Sequence, residues 1–245
     1  MESKIDITPD RLQNKIAIEF IEQHISKDKK LKLLDVGSAD NIIKYHLPEN
    51  IEYYSLDLPK KEQDEELREY EHEFILDLDK EKVPVKDNFF DIIICLDVIE
   101  HTTYPEKVLE EFKRITKKDG IFIISIPNEY NFVHRMYYLF AIKTMGEIPW
   151  KVVEMHQHIQ KPRVKDIINL LSDNSEISKI RYLFMSRTSY KSKTFAFVDK
   201  FFNILAQIHP SLFAVNVVAI CKNKKMLKQK NKVDNFDAEN RPKYY

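Results

Sequence analysis

The sequence predicts an α/β domain wound about a mostly parallel, seven-stranded sheet. Three observations predict it: short β-rich runs alternate with amphipathic stretches, no internal repeat is visible, and the runs LKLLDV, FDIIICL and IFIISI read as nearly unbroken apolar strands covered on both faces. A length of 245 residues with 43% hydrophobic side chains suits one globular domain with small appendages.

The opening helix is capped by Thr8 or Asp10 with Pro9 near its first turn. Leu12, Ile16, Phe20 and Ile21 form one stripe running to about Ile25. Strands are expected at 31–36, 51–56, 73–76, 90–96, 121–126, about 177–184 and 213–220. Between the fourth and fifth lies a helix at 105–116, with Val108, Leu109, Phe112 and Ile115 at helical spacing. The turn KKDG follows, and Gly120 restarts the chain as a strand. The domain reading is therefore an N-terminal helix at 1–30, a main domain at 31–222 whose aromatic segment at 129–160 forms a cap, and a flexible basic tail at 223–245.

Composition narrows the function. Cys95 and Cys221 each sit in an apolar run, which excludes a disulfide framework and a cysteine-based zinc cluster. MESKIDITPD lacks a signal-peptide pattern, and no apolar run is long enough to span a bilayer, so a soluble, cytoplasmic protein is expected. The 39 basic and 39 acidic residues are unevenly divided: 19 against 30 in residues 1–130, and 20 against 9 in 131–245. The C-terminal half is the expected face for an anionic partner.

Glycine is rare, with three in the chain. Gly37 ends the first strand, where open parallel sheets bind ligands, and lets the backbone approach one closely. Asp57 stands at the end of the second strand, 22 residues after Asp35, where a carboxylate accepts both ribose hydroxyls of an adenosine. The pair points to a nucleoside cofactor without choosing among NAD, FAD and S-adenosylmethionine. A dinucleotide dehydrogenase fares worse, because Ile42 stands where the third glycine belongs and no Tyr-x-x-x-Lys pair occurs.

Residues 90–128 carry an ordered set: Phe90-Asp91, Glu100-His101, Arg114, Gly120 and Pro127-Asn128. In this they resemble the class I S-adenosylmethionine-dependent methyltransferases, especially the small-molecule group that includes the ubiquinone-pathway O-methyltransferases. The resemblance covers roughly residues 31–183. It implies a doubly wound, Rossmann-like methyltransferase fold with an antiparallel last strand, and S-adenosylmethionine as cofactor. It also implies that Asp35, Gly37 and Ser38 border the methionine part, that Asp57 and Leu58 lie at the ribose, that Asp77 and Leu78 meet the adenine edge, and that Leu96 closes the site. The chain departs from the group at Ala39 and Asn41, where glycine is usual.

Methyl transfer is an in-line displacement that needs alignment, exclusion of water and removal of one proton. His101 and His156 are the candidate bases, and His156 and His158 form a His-x-His segment like that of relatives. The site is expected to hold no metal. The alternative is that Asp97, Glu100 and His101, completed by a downstream histidine such as His156, match a divalent-ion site of some relatives. Phe132, Tyr137, Tyr138, Phe140 and Trp150 would wall the acceptor, with Arg135 or Lys143 as an anion contact.

The expected partner is a small-molecule acceptor of anionic or partly apolar character. Nucleic acid is not expected. The stripe Phe195, Val198, Phe202 and Leu205 reads as core, with peripheral membrane contact as its lesser reading. The function expected is methyl transfer to O or N of a small-molecule or carrier-linked acceptor, the alternative being an inactive scaffold of the same fold. Oligomeric state is left open.

Overall fold

The computed structural model describes residues 11–25, 28–38, 42–59, 72–140, 158–184 and 193–223, with side chains from 197 in the last stretch. Pro9, Ala39 to Asn41, Lys143, Trp150, His156 and the tail beyond 223 lie outside the described residues. The elements in order are α1 (Leu12–His24), β1 (Leu31–Val36), β2 (Ile51–Asp57), β3 (Glu73–Ile75), β4 (Phe90–Leu96), α2 (Pro105–Ile115), β5 (Thr116–Pro127), α3 (Phe132–Leu139), α4 (Val164–Asn174), β6 (Glu176–Leu183), α5 (Lys193–Ile208), α6 (Pro210–Phe213) and β7 (Asn216–Lys222).

The strands form one sheet of seven in the order β3-β2-β1-β4-β5-β7-β6. The first five are parallel, and β7 runs antiparallel between β5 and β6. Strand order reverses between β1 and β4, so the crossover crevice opens at their carboxyl ends.

Alternating residues feed two cores. Leu34, Val36, Ile93, Cys95, Phe122 and Ile124 face the side covered by α2 and α4, while Leu33, Ile92, Ile94, Ile123 and Val218 face α1. Burial on both sides explains why β1, β4 and β5 read as apolar runs. Helix α2 drives Val108, Leu109, Phe112 and Ile115 into the first core, each burial stabilising by roughly 1.5–3 kcal/mol. Helix α1 drives in Ala17, Ile18 and Ile21, which makes it part of the same packed unit as the sheet.

Two strand starts differ from the sequence reading by several residues. Strand β5 begins at Thr116, so KKDG lies within it as an irregularity, the partners of Phe90 and Ile92 being Thr116 and Ile121. Asp119, not Gly120, takes the left-handed conformation, at φ 64°. Gly120 is required for space, since a Cβ there would lie 2.4 Å from Thr116 Cγ2 and 3.0 Å from the Asp91 carbonyl. Strand β7 starts at Asn216 because Pro210 opens the short helix α6. In α5, Phe202 and Leu205 are only half-buried and Val198 is 40% exposed, so that stripe is weaker core than expected. Among the described residues, no helix is long and apolar enough to cross a membrane.

Candidate functional site

The parallel register brings Asp35 and Asp57 to the carboxyl ends of adjacent strands, with Val36 opposite Leu56 and the Gly37 amide donating to the Leu56 carbonyl at 2.7 Å. Gly37 adopts φ +69°, and a Cβ on it would meet Val98 Cγ2 at 2.3 Å, so conformation and packing both demand glycine. Ser38 follows at the mouth of the turn.

Asp35 is 4% exposed and accepts from the Tyr53 hydroxyl at 2.9 Å. Burial pushes its carboxyl up to about 7; the Tyr53 bond opposes the rise and the neighbouring Asp57 charge adds to it. Asp57 is half-buried, and its Oδ1 accepts from the Leu58 amide at 2.9 Å. Leu58 is 42% exposed at the strand end. Next to them, the Leu76 amide donates to the Asp57 carbonyl at 3.0 Å and leads to Asp77 and Leu78. The Asp77 carboxylate pairs with Lys80 at 2.8 Å, which holds its carboxyl below the usual carboxylate range. Leu78 packs on the first core, and half-buried Leu96 ends β4. All eight residues expected at a cofactor thus stand on one edge, at the ends of β1 to β4. Cavities of 510 and 340 Å³ lie elsewhere, one between α1 and α5, the other beside the amino end of β2.

A second cluster lies after β4. His101 and His158 have ring centroids 4.8 Å apart. Glu100, His101 and His158 offer ligand atoms that all lie within 4.8 Å of one another. Glu100 is fully buried, and among the described residues neither carboxyl oxygen has a hydrogen-bond partner. Burial first, then the charges of Asp97 and Glu129, pushes its carboxyl up to about 9. Glu129 bonds His158 Nδ1 through Oε1, and its Oε2 lies 3.4 Å from His134 Nδ1. Gln160 locks the segment down, its amide donating to the Glu100 carbonyl at 2.8 Å.

Asp97 does not join this cluster. At φ 56° it turns its carboxylate toward Gln13 (2.5 Å), Ser125 (2.6 Å) and Asn216 (2.7 Å), tying α1, β5 and β7 to the end of β4. The set Asp97, Glu100 and His101 is therefore replaced by Glu100, His101 and His158. Three such groups, one of them a buried carboxyl with no hydrogen bond among the described residues, fit a divalent cation.

His158, Glu129 and His134 are what sequence reasoning missed as a unit. The signal available was a carboxylate directly after Pro127-Asn128, where the chain leaves the sheet. Arg135, expected as an anion contact, donates to the Tyr130 and Ser211 carbonyls at 2.7 and 3.3 Å. Of the expected acceptor walls, Phe132, Tyr138 and Phe140 are 40, 49 and 65% exposed.

The methyltransferase-domain family matches residues 34–124, which spans β1 to most of β5. An uncharacterized protein of Methanocaldococcus jannaschii is 30% identical over 123 residues, covering 50% of this chain and 56% of that protein. A second from the same organism is 43% identical over 47 residues and is covered over 20% of its length, so the chain spans about half or less of these relatives. The ubiquinone biosynthesis O-methyltransferase of Rickettsia typhi is 26% identical over 215 residues, covering 82% of this chain and 83% of that enzyme. Among solved structures, a putative methyltransferase of Bacillus halodurans shares the fold, with TM-score 0.53 at 13% identity over 85% of this chain and 99% of that one. Strand order, matched domain and relatives agree: residues 34–124 match a methyltransferase domain, and the chain shares the fold of solved S-adenosylmethionine-dependent methyltransferases.

Proposed function

We propose that this protein transfers a methyl group from S-adenosylmethionine to an oxygen or nitrogen of a small-molecule or carrier-linked acceptor. The observation that carries the reading is the adjacency of Asp35, the Gly37 turn and Asp57 at the crossover edge. Asp57 would take the ribose hydroxyls, with Leu58 beside it. Asp35, Gly37 and Ser38 would border the methionine part, Asp77 and Leu78 the adenine, and Leu96 the inner wall. Bound there, the cofactor would supply an electrophilic methyl on a sulfonium.

The chain's own groups would align the acceptor and take its proton. With Nδ1–H directed to Glu129, His158 keeps the lone pair on Nε2, the atom that stands 3.9 Å from Glu100. His101 beside it is the second candidate base, and His156 the third, outside the described residues. Glu100 holds its own proton at neutral pH because it is buried. In the alternative reading, a divalent cation held by Glu100, His101 and His158 would displace the Glu100 proton, occupy the imidazole lone pairs in place of the histidine base, and supply Lewis-acid polarisation of an acceptor oxygen. The reading with such an ion requires that a chelator abolish activity and that Mg²⁺ or Mn²⁺ restore it; full activity in chelator removes it.

The Gly-Ser-Ala-Asp-Asn loop, lacking the usual glycines, favours a second reading in which the fold binds without turning over. Release of S-adenosylhomocysteine in the presence of hydroxylated and amine acceptors separates the two. Release above the acceptor-free rate supports the enzyme, and none with any acceptor supports the scaffold.

A further inference from the structure

We propose that the outer side of α5, together with the groove between α5 and α1, docks on an anionic phospholipid surface. Phe197, Phe201, Ile204 and Ile208 recur at spacings of four, three and four and are 74, 52, 53 and 61% exposed. They form one unburied stripe, about 17 Å long at 1.5 Å per residue. The opposite side of the helix is where α5 packs: Ala206 is fully buried, and Phe202 stacks on Phe184 with ring centroids 4.5 Å apart. The helix therefore has its intramolecular contacts and still presents four large apolar side chains to solvent, which calls for a partner.

Charge identifies the partner. The groove of 510 Å³ shares Ile204 with the stripe and is lined by Lys200 of α5 and by Lys179 and Arg181 of the edge strand β6, opposite Ile16 and Phe20 of α1. Among the described residues none of these three cations is ion-paired, and the groove's one carboxylate is Glu19. Apolar side chains flanked by unpaired Lys and Arg match lipid headgroups over acyl chains. A second copy fits less well, because an isologous contact burying this face would bring two copies of the Lys179, Arg181 and Lys200 cluster together with Glu19 as the groove's one carboxylate to offset each. Residues 131–245, which contain α5 and β6, carry 20 basic and 9 acidic side chains.

Co-sedimentation of the full chain with vesicles tests the proposal, using phosphatidylcholine alone and an equal mixture with phosphatidylglycerol. Binding to the mixed vesicles is expected, at least about tenfold tighter than to the neutral ones and weakened by salt. Joint replacement Phe201→Ser and Ile204→Ser should cut binding about tenfold or more while leaving the circular dichroism spectrum and melting temperature unchanged, since both side chains are exposed. Joint replacement Lys179→Gln, Arg181→Gln and Lys200→Gln should abolish the preference for anionic vesicles. Absence of binding to mixed vesicles, or binding equal to wild type in both variants, overturns the proposal. So does a dimer in light scattering that the serine pair dissociates without any vesicle binding, which would assign the stripe to a second copy.

Discussion

The Tyr53 hydroxyl donates to the buried carboxyl of Asp35 at 2.9 Å, across the β1–β2 pair and directly behind the Gly37 turn. That bond is Asp35's main compensation for leaving water, and burial still holds its carboxyl up at about 7. Between about pH 4 and 7 the folded state therefore binds more proton than the unfolded chain. Stability contributed by protonated Asp35 is present at the low end of this window and is lost as pH rises through it, at no more than about 1.4 kcal/mol per pH unit. Urea denaturation of Asp35→Asn at several pH values should show a flatter profile over that window, because the amide still accepts from Tyr53 and does not ionise. A slope identical to wild type would mean that Asp35 titrates normally.

Gly37→Ala should destabilise by about 1–3 kcal/mol, through the left-handed backbone and the overlap with Val98. Adding Val98→Ala should relieve the overlap but not the backbone strain, so the two changes should couple favourably in a double-mutant cycle. Simple additivity in chemical denaturation would show that the turn and Val98 are independent.

Asp97 gathers Gln13, Ser125 and Asn216 onto one carboxylate. Asp97→Ala strands those donors and should cost about 2–4 kcal/mol. Asp97→Asn keeps a residue that tolerates φ 56° and keeps one acceptor oxygen, so it should cost less. Equal losses in the two variants would assign the effect to something other than the donors.

Asp57→Ala should weaken S-adenosylmethionine binding by about 1–3 kcal/mol through lost charge-assisted hydrogen bonds. Global stability should change little, because Asp57 is half-buried and caps the adjacent Leu58 amide. Calorimetry on this variant reads the first effect and thermal melting the second; unchanged affinity would place the ribose elsewhere.

The parts legible in the sequence are those whose signal is local. Strands β1 and β4 begin and end where their apolar runs do, because burial on both faces leaves little room for polar residues. The ordered motif from Phe90 to Asn128 carried the family resemblance, yet several of its members serve the frame. Asp91 binds Lys117 at 2.7 Å, Arg114 clasps Glu111 and the Val83 and Val85 carbonyls, and Asn128 donates to Ala214 at 2.7 Å. Helix α5 was ambiguous because FAFVDKFFNILAQI is apolar on more than one side, and only packing against Phe184 and β6 decides which side is inward. The Glu129–His158 bond joins residues 29 apart in the chain, and Tyr53 meets Asp35 across two strands. No short-range pattern encodes either pairing.

Isothermal titration of the full chain with S-adenosylmethionine and with S-adenosylhomocysteine reads the strand-edge site directly. The arrangement of Asp35, Gly37 and Asp57 predicts saturable one-site binding of both, with the heat lost or strongly reduced in Asp57→Ala. No detectable heat from either ligand at millimolar concentration, on protein shown to be folded, would contradict it.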